Sequence, residues 1–202
     1  RLLSYAPRRR LQAEFLRDHA LMAGGGLVRA MGGPGVNPYQ PAALFGRNAI
    51  GNAGFKQSSG EALYRRSLYT YWKRQVPAAN MRILGADGRT VCRTRRERTN
   101  TPLQALVTLN ERTFVQAAHG LAVRVLRGAD KSAKLQLDHA FRVVVGRRPD
   151  QSEHRILGEI LESQLKHYRQ DTKAAQALVS QGTVDSKGLD VATLAAWTSL
   201  AN

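Results

Sequence analysis

Five histidines, one cysteine and fifteen carboxylates are the residues of this chain that could do acid–base, nucleophilic or metal chemistry. Their spacing argues against it. His19, His119, His139, His154 and His167 form no pair at i,i+4 and no H-E-x-x-H motif. A zinc or general-base site on a helix would need one. His119 and His139 stand near apolar helical positions, as satisfied structural histidines do. Cys92 is alone, so no internal disulfide and no cysteine-based zinc site can form. Arg93, Arg95 and Arg96 beside it would favour a thiolate. A lone cysteine in a strand is otherwise a small buried residue, and that is the expectation here. Glu159 and Glu162 lie at i,i+3 on the polar side of a predicted helix, which suits a solvated face better than a catalytic pair. No G-x-S-x-G or phosphate-loop pattern occurs.

The remaining chemistry is basic and aromatic. Arg65, Arg66, Tyr69, Tyr71, Trp72, Lys73 and Arg74 form one block, and Arg93, Arg95, Arg96 and Arg98, followed by Asn100, form another. Basic residues interleaved with aromatics can hold single-stranded nucleic acid. The same arginines can form buried bidentate pairs within a fold. The candidate site is therefore Arg65, Arg66, Trp72, Lys73, Arg74, Arg95, Arg96, Arg98 and Asn100, serving either anions and partners or a structural clasp. The clasp reading predicts that Arg95, Arg96 and Arg98 are buried or paired.

Charge supports the same division. The formal net charge is +16 over 202 residues. Eighteen of the 31 basic residues but only five of the 15 acidic ones fall before residue 101. A one-sided excess of this kind points to a polyanionic partner. No uninterrupted apolar run is long enough for a membrane span.

Several elements must position these residues. Residues 8–23 predict a helix with an apolar stripe of Leu11, Phe15 and Met22 with Leu16 or His19, and Glu14 paired with Arg10 or Arg17. Gly24, Gly25 and Gly26 end it. Residues 32–60 predict a long Gly/Pro-rich loop. Residues 63–76 fit a helix by the spacing of Leu68, Trp72 and Val76, but their Tyr, Thr and Trp content favours a strand, paired with 89–94 in a small hairpin turned at "GADG" 85–88. Thr101, Pro102 and Gln104 predict a capping box with proline at N1, and Asn110 can divide the helix that follows. Further helices are predicted over 132–145, 151–169 (opened by an Asp150/Glu153 box) and 172–181, with a last one capped by Asp190. Ile156, Leu157, Ile160, Leu161 and Leu165 are expected to face inward. The fold class is mainly α: a helical domain with a small β hairpin and a long Gly/Pro loop. Residues 1–202 are expected to be a single domain fragment, with 1–100 basic and loop-rich and 101–202 helical, truncated at both ends.

The blocks "YRRSLYTYWKRQVP", "VCRTRRERTNTPLQALVTLN" and "FRVVVGRRPDQSE", with "RRRLQAEFLRD" and "MGGPGVNPYQP" upstream, together resemble the planctomycete PSD-one family, domain of unknown function 1553. The blocks extend the resemblance from about Arg8 to Trp197. The resemblance implies the C-terminal region of a large exported protein carrying a cytochrome-c-like module, and hence an extracytoplasmic location. C-x-x-C-H is absent here, so any haem would belong to a missing module and this chain would carry no cofactor. The resemblance supplies no catalytic residues. The expected function is a non-catalytic accessory or interaction domain, whose partners are other domains of the parent protein, a cytochrome-c-like module or an anionic polymer. Nucleic-acid binding is the alternative, and part of a polysaccharide-processing enzyme is a third reading.

Overall fold

The computed structural model describes residues 10–41, 55–73, 77–92, 94–128 and 132–202. Among them are eight α-helices: α1 (Ala13–Ala23), α2 (Ala79–Ile83), α3 (Pro102–Asn110), α4 (Arg112–Arg127), α5 (Ala133–Val145), α6 (Gln151–Gln170), α7 (Thr172–Val179) and α8 (Val191–Ala201). The mainly helical expectation holds.

The helix starts follow the cap chemistry read from the sequence. The Thr101 hydroxyl accepts from the Gln104 N–H while the Gln104 side chain accepts from the Thr101 N–H, so two orphan donors of the first turn are satisfied together. Asp150 and Glu153 close the same box on α6. Asp190 caps α8 through the Thr193 N–H. The break after Asn110 is made by Glu111. Its backbone is extended (ψ 133°), and its carboxylate accepts from the Thr113 N–H and hydroxyl at 3.0 Å each. One periodic stretch thereby becomes α3 and α4.

α4 is the central helix. It buries residues around its whole circumference from Thr113 to Val123, as a core helix does. Its first turn places Phe114 in a small apolar cluster with Ala13, Met81 and Leu84. Its second half places Leu121 and Val125 in a larger cluster with Leu137, Leu161, Leu194 and Trp197 from α5, α6 and α8. α1 crosses α4 at two glycines. A methyl group on Gly24 would overlap the Ala117 carbonyl, and one on Gly120 would overlap the Gly24 carbonyl, so this crossing requires glycine at both positions. On α6, Leu161 is buried and Leu157 and Leu165 half-buried, whereas Ile156 and Ile160 are exposed, contrary to expectation.

The hairpin does not form among the described residues. Residues 60–70 make two short 3₁₀ turns, Gly60–Tyr64 and Ser67–Tyr69, joined to the glycine-rich segment by isolated parallel bridges, Val28 to Arg65 and Val36 to Thr70. The reason lies between the two expected strands. α2, which periodicity did not reveal, occupies the connection, and left-handed Gly85 (φ 89°) and Arg89 (φ 54°) turn the chain away from ladder geometry. Trp72 links the two segments through its side chain: its Nε1 donates to the Gly88 carbonyl at 3.4 Å. The expected 32–60 loop lies partly outside the described residues. Its described ends approach each other, with the Ser58 N–H donating to the Asn37 carbonyl at 2.9 Å.

Candidate functional site

The arginines divide into those the fold consumes and those it leaves open. Arg17 belongs to the first group. It occupies the inward row of α1 between Ala13 and Leu21 and is 2% exposed. Its guanidinium donates to the carbonyls of Leu63 (2.6 Å) and Arg65 (3.0 Å) and to the Ser67 hydroxyl (3.2 Å). Asp18 beside it accepts from the Ser67 N–H and hydroxyl at 2.7 and 2.6 Å. Burial pulls the Arg17 pKa down, countered by Asp18 and Glu111. Burial pushes the Glu111 carboxyl up, countered by its Thr113 hydrogen bonds and by Arg17.

Arg65 continues the clasp. It is buried and donates to the carbonyls of Pro34 (3.0 Å), Ala30 (3.3 Å) and Gly32, with its guanidinium 3.8 Å from the centre of the Tyr69 ring. The Tyr69 hydroxyl accepts from the Gly32 N–H at 2.7 Å. Arg66 lies 5.8 Å from the same ring and reaches the Met31 sulfur. One arginine from α1 and one from the 3₁₀ segment therefore tie residues 30–36 and 63–67 to the first helix.

The second block splits. Arg96 is ion-paired to Glu14 at 2.7 Å and touches Gln12 at 3.4 Å, which raises its pKa through the Glu14 hydrogen bond. Asn100 accepts from Arg10 at 2.8 Å. Gln104 is buried and donates to the Ile83 carbonyl at 2.8 Å and the Thr99 hydroxyl at 2.9 Å, fixing the approach to α3. Arg95 and Arg98 are exposed and have no hydrogen-bond or ion-pair partner among the described residues. The expectation that all three arginines are buried or paired is thus met by Arg96 alone. The first hundred residues hold too few acids to neutralise every arginine, and Glu14 goes to Arg96 rather than to Arg10 or Arg17.

Arg95 and Arg98 stand at the edge of an open cleft of about 630 Å³. Arg10, Leu11, Phe15 and Leu84 line its other sides, with Asp87 and Glu97. Trp72 and Lys73 lie elsewhere: Trp72 is half-buried under Arg89 (4.9 Å), and Lys73 is half-buried and engaged. The interleaved aromatic–basic block is therefore not assembled into one surface. Arg74 and Arg93 lie outside the described residues.

Sequence reasoning missed Arg17, Asp18 and Arg10. The signal for Arg17 was available, since Ala13, Arg17 and Leu21 share the i,i+4 row. The row chosen instead, Leu11, Phe15 and Met22, faces outward at 48%, 61% and 42% exposure. Cys92 is exposed rather than buried, because no strand forms around it. His119 is 1% exposed as expected, but neither ring nitrogen has a hydrogen-bond partner, and its ring lies against Gly182. Burial lowers its pKa. Among the described residues, no three His, Cys, Asp or Glu side chains gather to hold a metal ion, and no helix is long and apolar enough to cross a membrane.

No curated protein and no solved structure matches this chain. The family model for PSD1, described as protein of unknown function (DUF1553), matches residues 1–161. The match takes in the clasp, the cleft and helices α1–α5, and stops short of Trp197, to which the sequence blocks extended. α7 and α8 fall beyond it, yet pack against α6 and α4. With the match covering well over half of the sequence, the chain belongs to the PSD1 (DUF1553) family.

Proposed function

We propose that this chain is a non-catalytic interaction domain that holds an anionic partner in the cleft between the start of α1 and residues 94–99. The observation carrying the proposal is the split among the arginines. Arg17, Arg65 and Arg96 spend their donors inside the fold, while Arg95 and Arg98 keep theirs at a concave surface. A cleft lined by such guanidinium groups presents positive charge, which favours long-range attraction of acidic ligands. The family resemblance supports placing the domain in a larger exported, cytochrome-c-associated protein of the extracytoplasmic space, with a neighbouring domain of that protein as the partner. A signal peptide and a C-x-x-C-H motif in the parent reading frame test that setting.

The binding test is a salt titration of the chain against heparin and polyglutamate. Wild type should bind both, weakening steeply with salt. Arg95→Ser with Arg98→Ser should flatten the log–log salt slope by about 2, one unit per lost ion contact. Equal slopes for wild type and the double variant, or no binding at low salt, would remove the cleft from consideration.

A further inference from the structure

The row of α1 that was expected to face the core faces solvent instead, and it runs out of the basic cleft. Leu11 and Phe15 line the cleft wall, and Met22 lies two turns further along the same side. Beyond His19, whose Nε2 is 2.8 Å from the Val144 carbonyl, the apolar surface continues onto exposed Val144 and Val145 of α5. From Phe15 to Met22 it spans two helical turns, about 10 Å, with Leu11 just ahead of the helix. Single exposed apolar residues are ordinary, but a row that ends among unpaired guanidinium groups has the layout of a helix-binding groove.

We infer that the occupant of this surface is an acidic amphipathic helix of a protein partner, with its apolar side on Leu11, Phe15 and Met22 and its carboxylates on Arg95, Arg98 and Arg10. The inference rests on the cleft being an anion-binding interface, as proposed above, and names the partner's chemistry. Charge complementarity selects the occupant. A second copy of this chain would bring a molecule of net charge +16 and the same arginines to the face. A nucleic-acid strand carries a phosphate at every step, and the cleft wall includes the apolar side chains of Leu11, Phe15 and Leu84, which such a strand would not satisfy. An amphipathic segment can match both the arginines and the apolar row, with apolar residues at i, i+4, i+7 and i+11 and acids confined to one end.

Fluorescence anisotropy tests this with three probes on the 202-residue chain. They are an acidic amphipathic peptide of about 16 residues with leucines at those spacings, a scramble of identical composition, and a single-stranded oligonucleotide of equal charge. The amphipathic peptide should bind at least about tenfold more tightly than the other two, the effect of one good apolar anchor. Met22→Gln, outside the cleft, should erase the advantage over the scramble while leaving heparin binding unchanged. Met22 is exposed, so the variant should fold, and Phe15→Ser supplies a second lesion for peptide binding. Equal affinity for peptide and scramble overturns the inference and leaves the anion-binding reading standing. A tighter oligonucleotide overturns it in favour of nucleic acid. A wild-type dimer that Phe15→Ser converts to monomer overturns it in favour of self-association. Failure of every anion, heparin included, removes the underlying reading as well.

Discussion

The two ends of α4 are held by different physics. At its start, the segments of the first hundred residues are fastened to one another largely by polar side chains: Arg17, Asp18 and Arg65 satisfy backbone groups of segments that have little regular structure of their own, and Gln104 ties the Ile83 carbonyl to α3. At its end, α5, α6 and α8 close over Leu121, Val125, Leu194 and Trp197 with an apolar core. The contrast explains why a chain with so many arginines folds at all. A segment without ladders or long helices must pair its buried carbonyls with something, and a guanidinium with five donors serves several at once. The helical half needs no such help, since its backbone groups are satisfied within the helices. Arginine excess in the first half is thus partly structural, and only the remainder is available for a partner.

The largest expected break in this contrast is Arg17→Leu. It strands two carbonyls in a buried site, and should lower stability by about 3–5 kcal/mol in urea unfolding. An effect below about 1 kcal/mol would mean that the polar half is held by its small apolar cluster instead. Next is the seam between the halves. Gly120→Ala places a methyl group against the Gly24 carbonyl and should cost about 1–3 kcal/mol by forcing α1 away from α4. The same change at exposed-loop Gly26 should cost far less.

The smallest effect belongs to the helical half and depends on pH. His119 is buried and kept neutral, with its pKa below the ordinary 6.5. Above about pH 6.5 neither folded nor unfolded His119 binds a proton, and its effect on stability is constant. As pH falls below that value the unfolded chain takes up the proton first, and stability is lost until the folded-state pKa is reached. The slope attributable to His119 should not exceed about 1.4 kcal/mol per pH unit, and His119→Leu should flatten it. Glu111 works in the opposite sense because its carboxyl is raised, which reduces the net slope at the acid end. Asp150, Glu153 and Asp190 are held low by their hydrogen bonds, so their losses begin as pH falls into the usual carboxylate range, where the unfolded chain takes up protons, and end below it, which keeps them separable from His119. An unchanged pH profile in His119→Leu would assign the acid response elsewhere.

Helix starts were the legible part of this sequence, because a cap is a local event: Thr101, Asp150 and Asp190 each act within four residues. The hairpin was not legible. Tyr, Thr and Trp content reports a preference for pleated, half-buried surface, and here the surface was supplied by side-chain clasps instead of a paired strand. α1 shows the same limit from the other side. Its periodicity identified a helix but selected the wrong face, because a buried arginine occupies the inward row and three apolar residues occupy the outward one. The split between Arg96 and its neighbours Arg95 and Arg98 depends on where Glu14 lies in space, which local spacing does not encode.

The central claim is that the arginines of the first hundred residues do different jobs, and one paired measurement tests it. Thermal stability and polyglutamate affinity are measured for Arg17→Leu and for the Arg95→Ser/Arg98→Ser double variant. The account predicts that the first loses stability heavily, while the second keeps its melting temperature to within about 0.5 kcal/mol equivalent and loses polyglutamate binding. A double variant that melts early while binding normally would contradict it.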